Sequence, residues 1–367
     1  MINALIIFGA YLVATGIIFG LAWLIGRVIR VIRERKASNS GSKDEKLNAD
    51  FKRLAKRTKI KRMALTAWIS GAVVVILVGI GVAVNNKMMK DSFFKKSEQA
   101  SEYFVIRSPN VSYNNLVVNN YGFFSSNLHA DTYKNVDGYR VDWQDYDWGF
   151  GTIGTSGYGY QYQYVSPVRQ GNAFYTQGSN QKVASFFLPK ADYNSKGYYG
   201  LTPTHEAQKL SKLPNYLAEV AVTFDKAYTY DELQKMIPSN LMINWYWLGV
   251  NDSSNVDAAG SWSYYGLNSE TDEKGNPTGK LTSDSYDNAF VPTVKRETGG
   301  SKYNSFDAGE DAKKMVEKFP NLKTAKFAGV ILTGRTENLA GLDEENWTFA
   351  TNVGVTTEIL PYQNPVK

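Results

Sequence analysis

His129 and His205 are the only two histidines in the chain, and neither has a ligand-type residue four positions on. A zinc site here would have to be assembled almost wholly from carboxylates. The one local cluster of acids and rings is Asp142, Asp145 and Asp147 around Trp143 and Trp148. Carboxylates supply the oxygen ligands that calcium takes, and indoles stack on sugars, but such a set is more often a solvated turn. The stretch Gly149-Phe-Gly-Thr-Ile-Gly-Thr-Ser-Gly157 follows a weak strand, yet no Lys-Ser/Thr and no helix come after it. It is an ordinary glycine-rich turn rather than a phosphate loop. No Gly-x-Ser-x-Gly presents a serine nucleophile. With no cysteine anywhere, thiol catalysis, thiolate metal sites and cysteine-ligated iron–sulfur clusters are excluded. No catalytic, cofactor-binding or metal-ligating residue is assigned, and the chain does not read as an enzyme.

Two other sets of residues offer recognition rather than catalysis. Trp143, Trp148, Tyr160, Tyr162, Trp245 and Trp247 are candidate rings for stacking on an envelope glycan or peptide. Tyrosines alternate through Gly157–Val165, so they would line one face of a strand. Alternation also turns about half of all strand rings inward whatever the function. The second set is Phe51 and Leu54 with Lys52, Arg53, Lys56 and Arg57. Leu47, Phe51, Leu54 and Ala55 fall at helical spacing, making a short amphipathic helix over Lys46–Arg62. It suits a docking surface for a cytoplasmic protein or, with equal weight, a helix lying on a membrane surface without a partner.

The elements that carry these residues are set by two apolar stretches, about Ala4–Ile25 and Met63–Val84. Neither contains Lys, Arg, Asp or Glu, and each is long enough to cross a hydrocarbon core of about 30 Å. The first has no basic region before it and its charges follow it, the wrong order for a secretion signal. Between the stretches, Arg27–Arg62 holds fourteen Lys or Arg against four Asp or Glu. Short loops with this bias stay on the cytoplasmic side. The expectation is a multi-pass cell-membrane protein with its N-terminus and C-terminal domain outside and residues 27–62 inside. The formal charge of +6 is then a property of topology, because the residues outside that loop sum to −4. Lipid is the expected partner of the basic loop, and nucleic acid is not.

The resulting order is a first transmembrane helix (1–26), a basic cytoplasmic loop with an amphipathic helix (27–62) and a second transmembrane helix (63–84). A stalk (85–101), a β-rich extracytoplasmic domain (102–210) and an α+β extracytoplasmic domain (211–367) follow. Asn115–Asn119, Gly138–Trp143 and Tyr158–Tyr164 read as strands between tight turns. Leu217–Phe224 reads as a strand, and Thr229–Met236 as a helix opened by a Thr229/Glu232 capping box. Leu241–Val250 returns as a strand, and Asp252–Glu297 reads as a long loop excursion. Phe306–Phe319 is a helix with Ala308, Ala312, Met315 and Val316 inward, and Lys326–Leu332 and Trp347–Ile359 are strands. The fold class is membrane-anchored α+β: two N-terminal transmembrane helices, then a large external domain of mixed sheets with a few packed helices.

Several segments carry a family resemblance. Toward the N-terminus these are Lys59-Ile-Lys-Arg, the apolar helix to Val84, Ser108-Pro-Asn-Val and Thr132-Tyr-Lys-Asn-Val-Asp-Gly-Tyr-Arg-Val. Toward the C-terminus they are Ala218–Leu233, Asn244-Trp-Tyr-Trp-Leu-Gly and Phe327–Leu339. Together they resemble the sigma-factor regulators of Gram-positive bacteria, which are membrane-anchored anti-sigma factors. The resemblance implies a cytoplasmic sigma-binding segment, a membrane span and an external sensor domain. Here the first of these would be the Lys46–Arg62 helix and its approach. The competing function is a cell-envelope or glycan-binding module held at the membrane.

Overall fold

The structure is a computed structural model that describes residue 27 and residues 43–119, 121–152, 168–176, 178–194, 201–249, 264–297, 302–303 and 306–367. The expected first span (Ala4–Ile25) and the Tyr158–Tyr164 ladder, with Tyr160 and Tyr162, lie outside the described residues. The chain divides into two compact units, Met1–Lys90 and Asp91–Lys367.

Helix α1 runs Lys43–Ile106. It takes up the Met63–Val84 run, about 33 Å of helix at 1.5 Å per residue. Among the described residues it is the one helix long and apolar enough to cross a membrane. Its apolar side chains are left open, Trp68 at 64% and Ile76 at 59% exposure, which suits hydrocarbon rather than water. The segment 85–101, expected as a stalk, is helical too. The chain holds no proline before Pro109, and Gly71, Gly79 and Gly81 lie in open space. Pro109 disfavours helix at the residue before it, and Ser108 Oγ closes the last turn by donating to Phe104 O at 2.7 Å.

In the second unit, β1 (Ser112–Asn119), β2 (Ser125–Val136), β3 (Tyr139–Asp142) and β4 (Tyr146–Gly151) form an antiparallel sheet centred on β2. Strand β1 pairs along one edge of β2, and β3 then β4 along the other. Asp137 and Gly138 turn β2 into β3 with φ of 53° and 92°. That left-handed pair is what a two-residue type I′ hairpin requires, and Asp-Gly supplies it. Two short hairpins, β5 (Val168–Gln170) with β6 (Ala173–Tyr175) and β10 (Lys302–Tyr303) with β11 (Phe306–Asp307), stand apart from the main sheets.

The larger sheet is built from β7 (Tyr216–Thr229), β8 (Met242–Trp247), β9 (Gly266–Asn268), β12 (Lys326–Arg335) and β13 (Thr348–Glu358). Its order is β13-β7-β12-β8-β9, antiparallel throughout. Strand β8 is buried at all its positions, so both sheet faces are covered. On one face Tyr246 meets Phe327, and Phe327 meets Tyr286. Helices complete that side: α2 (Tyr230–Met236), a π-helical stretch (Asp284–Phe290) running into α3 (Val291–Arg296), and α4 (Ala308–Lys318), whose Ala308, Ala312 and Val316 join the same core. Helix α2 starts with the expected capping box between Thr229 and Glu232. The expected loop excursion is corrected here: it contains β9, the π-helical stretch and α3. Tyr286, Phe290 and Val294 recur every four residues and are fully buried, a helical stripe hidden among Asp, Ser and Asn.

The opposite face is crossed by an extended strap, Lys182–Leu188. Its backbone donors are met by side chains: Ser185 N–H by Asn352 Oδ1 at 3.0 Å, Phe186 N–H by the Tyr264 hydroxyl at 2.8 Å and Phe187 N–H by Thr223 Oγ1 at 3.0 Å. Phe186 stacks on Trp247 with ring centres 4.7 Å apart. Close approach needs glycine beneath: a Cβ on Gly329 would lie 2.9 Å from the Phe186 ring, and one on Gly354 would lie 2.8 Å from Ala184 Cβ. The core of this unit therefore draws on both sides of residue 210.

Candidate functional site

In the first unit the candidate surface is the start of α1. Phe51 and Leu54 are exposed, at 67% and 60%, on the helix that also carries Lys52, Arg53, Lys56 and Arg57. Only a weak internal pair, Arg53 with Asp50 at 3.8 Å, engages these cations among the described ion pairs. The result is an apolar ridge flanked by charge at the start of the membrane-length helix.

In the second unit the most concentrated chemistry is a buried polar junction where the hairpin end of the first sheet meets the second. Lys134 of β2 reaches both oxygens of Glu219 of β7, at 2.8 and 2.9 Å, and both side chains are almost wholly buried. Asn110 Nδ2 donates to Glu219 Oε1 at 3.0 Å and Val355 N–H to Oε2 at 3.3 Å. The ammonium also sits 4.2 Å from the centre of the Trp143 ring. Burial pulls the Lys134 pKa below its ordinary value, and the Glu219 carboxylate opposes that pull. Around the pair, Asn244 Nδ2 donates to Asn110 Oδ1 at 2.9 Å and to Asn135 O at 2.6 Å, while Thr333 Oγ1 donates to Asn244 Oδ1 at 2.8 Å. A network satisfied at this density fixes how two sheets meet more sharply than apolar packing does.

The hairpin tip extends the junction. Asp137 N–H donates to Thr333 Oγ1 at 3.2 Å, and Asp137 Oδ1 accepts from Lys367 N–H at 2.9 Å. Asp137 Oδ2 is buried without a partner, and burial pushes the carboxyl up to about 6. Because the folded value lies above the unfolded one, the folded state holds this proton more tightly. Its stabilising contribution is complete below about pH 4 and is lost as pH rises through about 6. Asp137→Asn keeps a turn-compatible side chain and removes the charge. At pH 7.5 it should stabilise the protein by about 1–2 kcal/mol after allowance for water near the exposed chain end. Thermal melts of both proteins from about pH 4 to 8 should converge at the acid end.

A third feature is His129 on β2. Its Nδ1 lies 3.0 Å from Asp147 and its Nε2 3.0 Å from Asp131. Partial burial lowers the imidazole pKa, but hydrogen bonds and charge from Asp147 and Asp131 outweigh it, so the net shift is upward. His129, Asp131 and Asp145 place ligand atoms within 4.8 Å of one another. These are the described residues that could hold a cation, which would compete with the proton for the imidazole.

The tryptophans expected as a ligand platform are core residues. Trp143, Trp148, Trp245 and Trp247 are each at most 5% exposed. Trp148 stacks on Tyr146 beside Phe104, and Trp245 and Trp247 lie under Phe186. The Asp142–Asp147 cluster is likewise divided, with Trp143 turned inward beneath Lys134. Sequence reasoning missed Glu219, Asn244 and Thr333. The available signal was a lone polar residue inside each apolar run: Leu-Ala-Glu-Val-Ala, Met-Ile-Asn-Trp and Ile-Leu-Thr-Gly.

The sigma factor regulator N-terminal family model matches residues 52–141, and the sigma factor regulator C-terminal model matches residues 210–355. No curated protein and no solved structure matches the chain. The first match takes in most of the basic helix, the apolar run and the sheet to β3, and the second takes in the larger sheet to Val355. Lys134 lies in the first and Glu219 in the second, so the buried junction joins the two matched regions. The domains of this family are non-catalytic. The chain carries both sigma factor regulator domains, one on each side of the Lys134–Glu219 pair.

Proposed function

We propose that the protein is a membrane-tethered regulator that acts on a sigma factor, with residues 27–62 in the cytoplasm and the Asp91–Lys367 unit outside as a sensor. The observation that carries this reading is the reach of the N-terminal family match. It begins at residue 52, inside the basic helix, and continues through the apolar run into the folded unit. Part of the basic arm, the apolar run and the first sheet as far as β3 therefore fall within one family match, which supports reading them as one device. The charge bias of Arg27–Arg62 supports the orientation. Burial of Trp143, Trp148, Trp245 and Trp247 counts against the rival reading of a glycan-binding platform.

The outer unit holds the end of α1 firmly. Arg107 Nη1 pairs with Glu297 Oε1 at 3.2 Å, the Tyr265 hydroxyl donates to Glu297 Oε2 at 2.6 Å, and Phe104 packs against Tyr113, Tyr146 and Trp148. A rearrangement of this unit shifts the helix end with it. Signalling through that route requires a ligand or stress with different affinity for two states of the unit. The test is capture of a sigma factor by the detergent-solubilised full chain. Reversing charge at Lys52, Arg53, Lys56 and Arg57 should weaken capture about tenfold or more, equivalent to at least about 1.4 kcal/mol. Equal capture by the reversed and native chains would remove the inner arm from the proposal.

A further inference from the structure

We infer that the turn between β1 and β2, residues 121–124, docks into the membrane interface, making the outer unit a bilayer-seated body rather than one hanging free. Within this unit the first sheet lies along the last part of α1. Phe104 packs on Tyr113, Tyr103 on Tyr146, Phe93 on Phe150, and Gly151 N–H donates to Ser92 Oγ at 3.1 Å. Strand β4 thus runs from residue 103 of the helix back towards residue 92. Ser125 pairs with Gly151, and Thr152 N–H donates to Phe124 O at 2.9 Å. The turn therefore continues in the same direction, beyond residue 92 at the start of this unit.

What it presents is apolar. Tyr121 is 83% exposed, and Phe123 and Phe124 are each 48% exposed. Phe94, at 56%, is exposed on the helix one residue after Phe93. Gly122 makes the turn tight: its N–H donates to Ser125 O at 2.9 Å, and a Cβ there would lie 2.4 Å from that oxygen. From Ser108 to Ala130 the sequence has no Asp, Glu, Lys or Arg, so insertion of the turn desolvates no charge.

Lipid is the occupant because the span is so close along the chain. Ser92 follows Val84 by eight positions, about 12 Å of helix. Met88 and Met89 prolong the apolar character, and Lys87, Lys90, Lys95 and Lys96 alternate with them and with Phe93 and Phe94. Long cations snorkel to headgroups and aromatic rings settle at the same level.

The inference rests on the membrane-tethered reading, and its test separates the two. The chain has no cysteine, so single cysteines at Tyr121, Val78 and Tyr362 can each carry an environment-sensitive fluorophore. The labelled full-length chain is reconstituted in phosphatidylglycerol/phosphatidylcholine vesicles containing nitroxide lipid. Tyr121→Cys should be quenched by shallow nitroxides at least roughly threefold more than Tyr362→Cys. Adding Phe123→Ser and Phe124→Ser should abolish that excess. Quenching at Val78→Cys without quenching at Tyr121→Cys overturns the docking and leaves the span standing. A Tyr121 probe shielded from aqueous iodide but untouched by nitroxide lipid would assign the turn to a second copy and overturn it equally. Loss of quenching at Val78→Cys removes the tether itself.

Discussion

Glu219→Ala should cost the Asp91–Lys367 unit about 3–5 kcal/mol, the range for removing one partner of a buried ion pair. The substitution leaves the Lys134 ammonium with the Trp143 ring face as its remaining described contact. It also takes the acceptor from Val355 N–H and from one of the Asn110 Nδ2 hydrogens, while Asn110 keeps its bond to Asn135 O at 3.1 Å. Lys134→Met should cost less, because Glu219 would retain those two donors. A double variant, Lys134→Met with Glu219→Leu, should recover a large part of the loss, since apolar replacement of a buried pair is often close to neutral. Urea denaturation of the full chain in detergent, followed by tryptophan emission, measures all three. If the double variant falls as far as the sum of the singles, the two side chains are not coupled and the sheets are joined by packing alone.

Phe186→Ala should destabilise the same unit by about 3–5 kcal/mol, the usual cost of emptying a buried aromatic site. Phe186 is 1% exposed. It stacks on Trp247, tilts against Trp245 at 5.8 Å and meets Tyr264 edge-on at 5.3 Å. Its removal empties the space above Gly329 and loosens the strap, whose amides depend on Tyr264, Thr223 and Asn352. Gly329→Ala should injure the protein at the same place by the opposite route. The new methyl would meet the Phe186 ring at 2.9 Å and Val222 O at 2.5 Å, and backbone cannot yield as a side-chain end can. Limited proteolysis should cut near residue 190 sooner in both variants. A Phe186→Ala protein within about 1 kcal/mol of native stability would show that the strap is not part of the core.

The elements most legible in the sequence were those specified locally. Met63–Val84 announced a helix by length and lack of charge, Asp137-Gly138 a hairpin by turn chemistry, and Thr229 with Glu232 a helix start by side-chain reach. Ala308, Ala312 and Val316 marked the inward face of α4 by spacing. Less legible were features set by distant partners. Nothing near Trp245 or Trp247 says that Phe186 will cover them, so rings that pattern with a ligand platform became core. Nothing near Lys134 names Glu219. The 252–297 region misled because its polar residues outnumber the buried Tyr286, Phe290 and Val294 stripe. The Phe51–Arg57 surface was legible as an amphipathic ridge, whereas what it meets is a matter of a second molecule.

Two buried ion pairs among the described residues span long stretches of chain: 85 residues from Lys134 to Glu219 and 190 from Arg107 to Glu297. A polypeptide synthesised from its N-terminal end therefore delivers both cations well before either counter-ion emerges. Until β7 arrives, Lys134 cannot be enclosed without an unbalanced charge, so the nascent first sheet has to wait, half-open, for the rest of the molecule. Chains truncated before β7 would stay open to proteases, and completion of synthesis is built into the conditions for a closed Asp91–Lys367 unit.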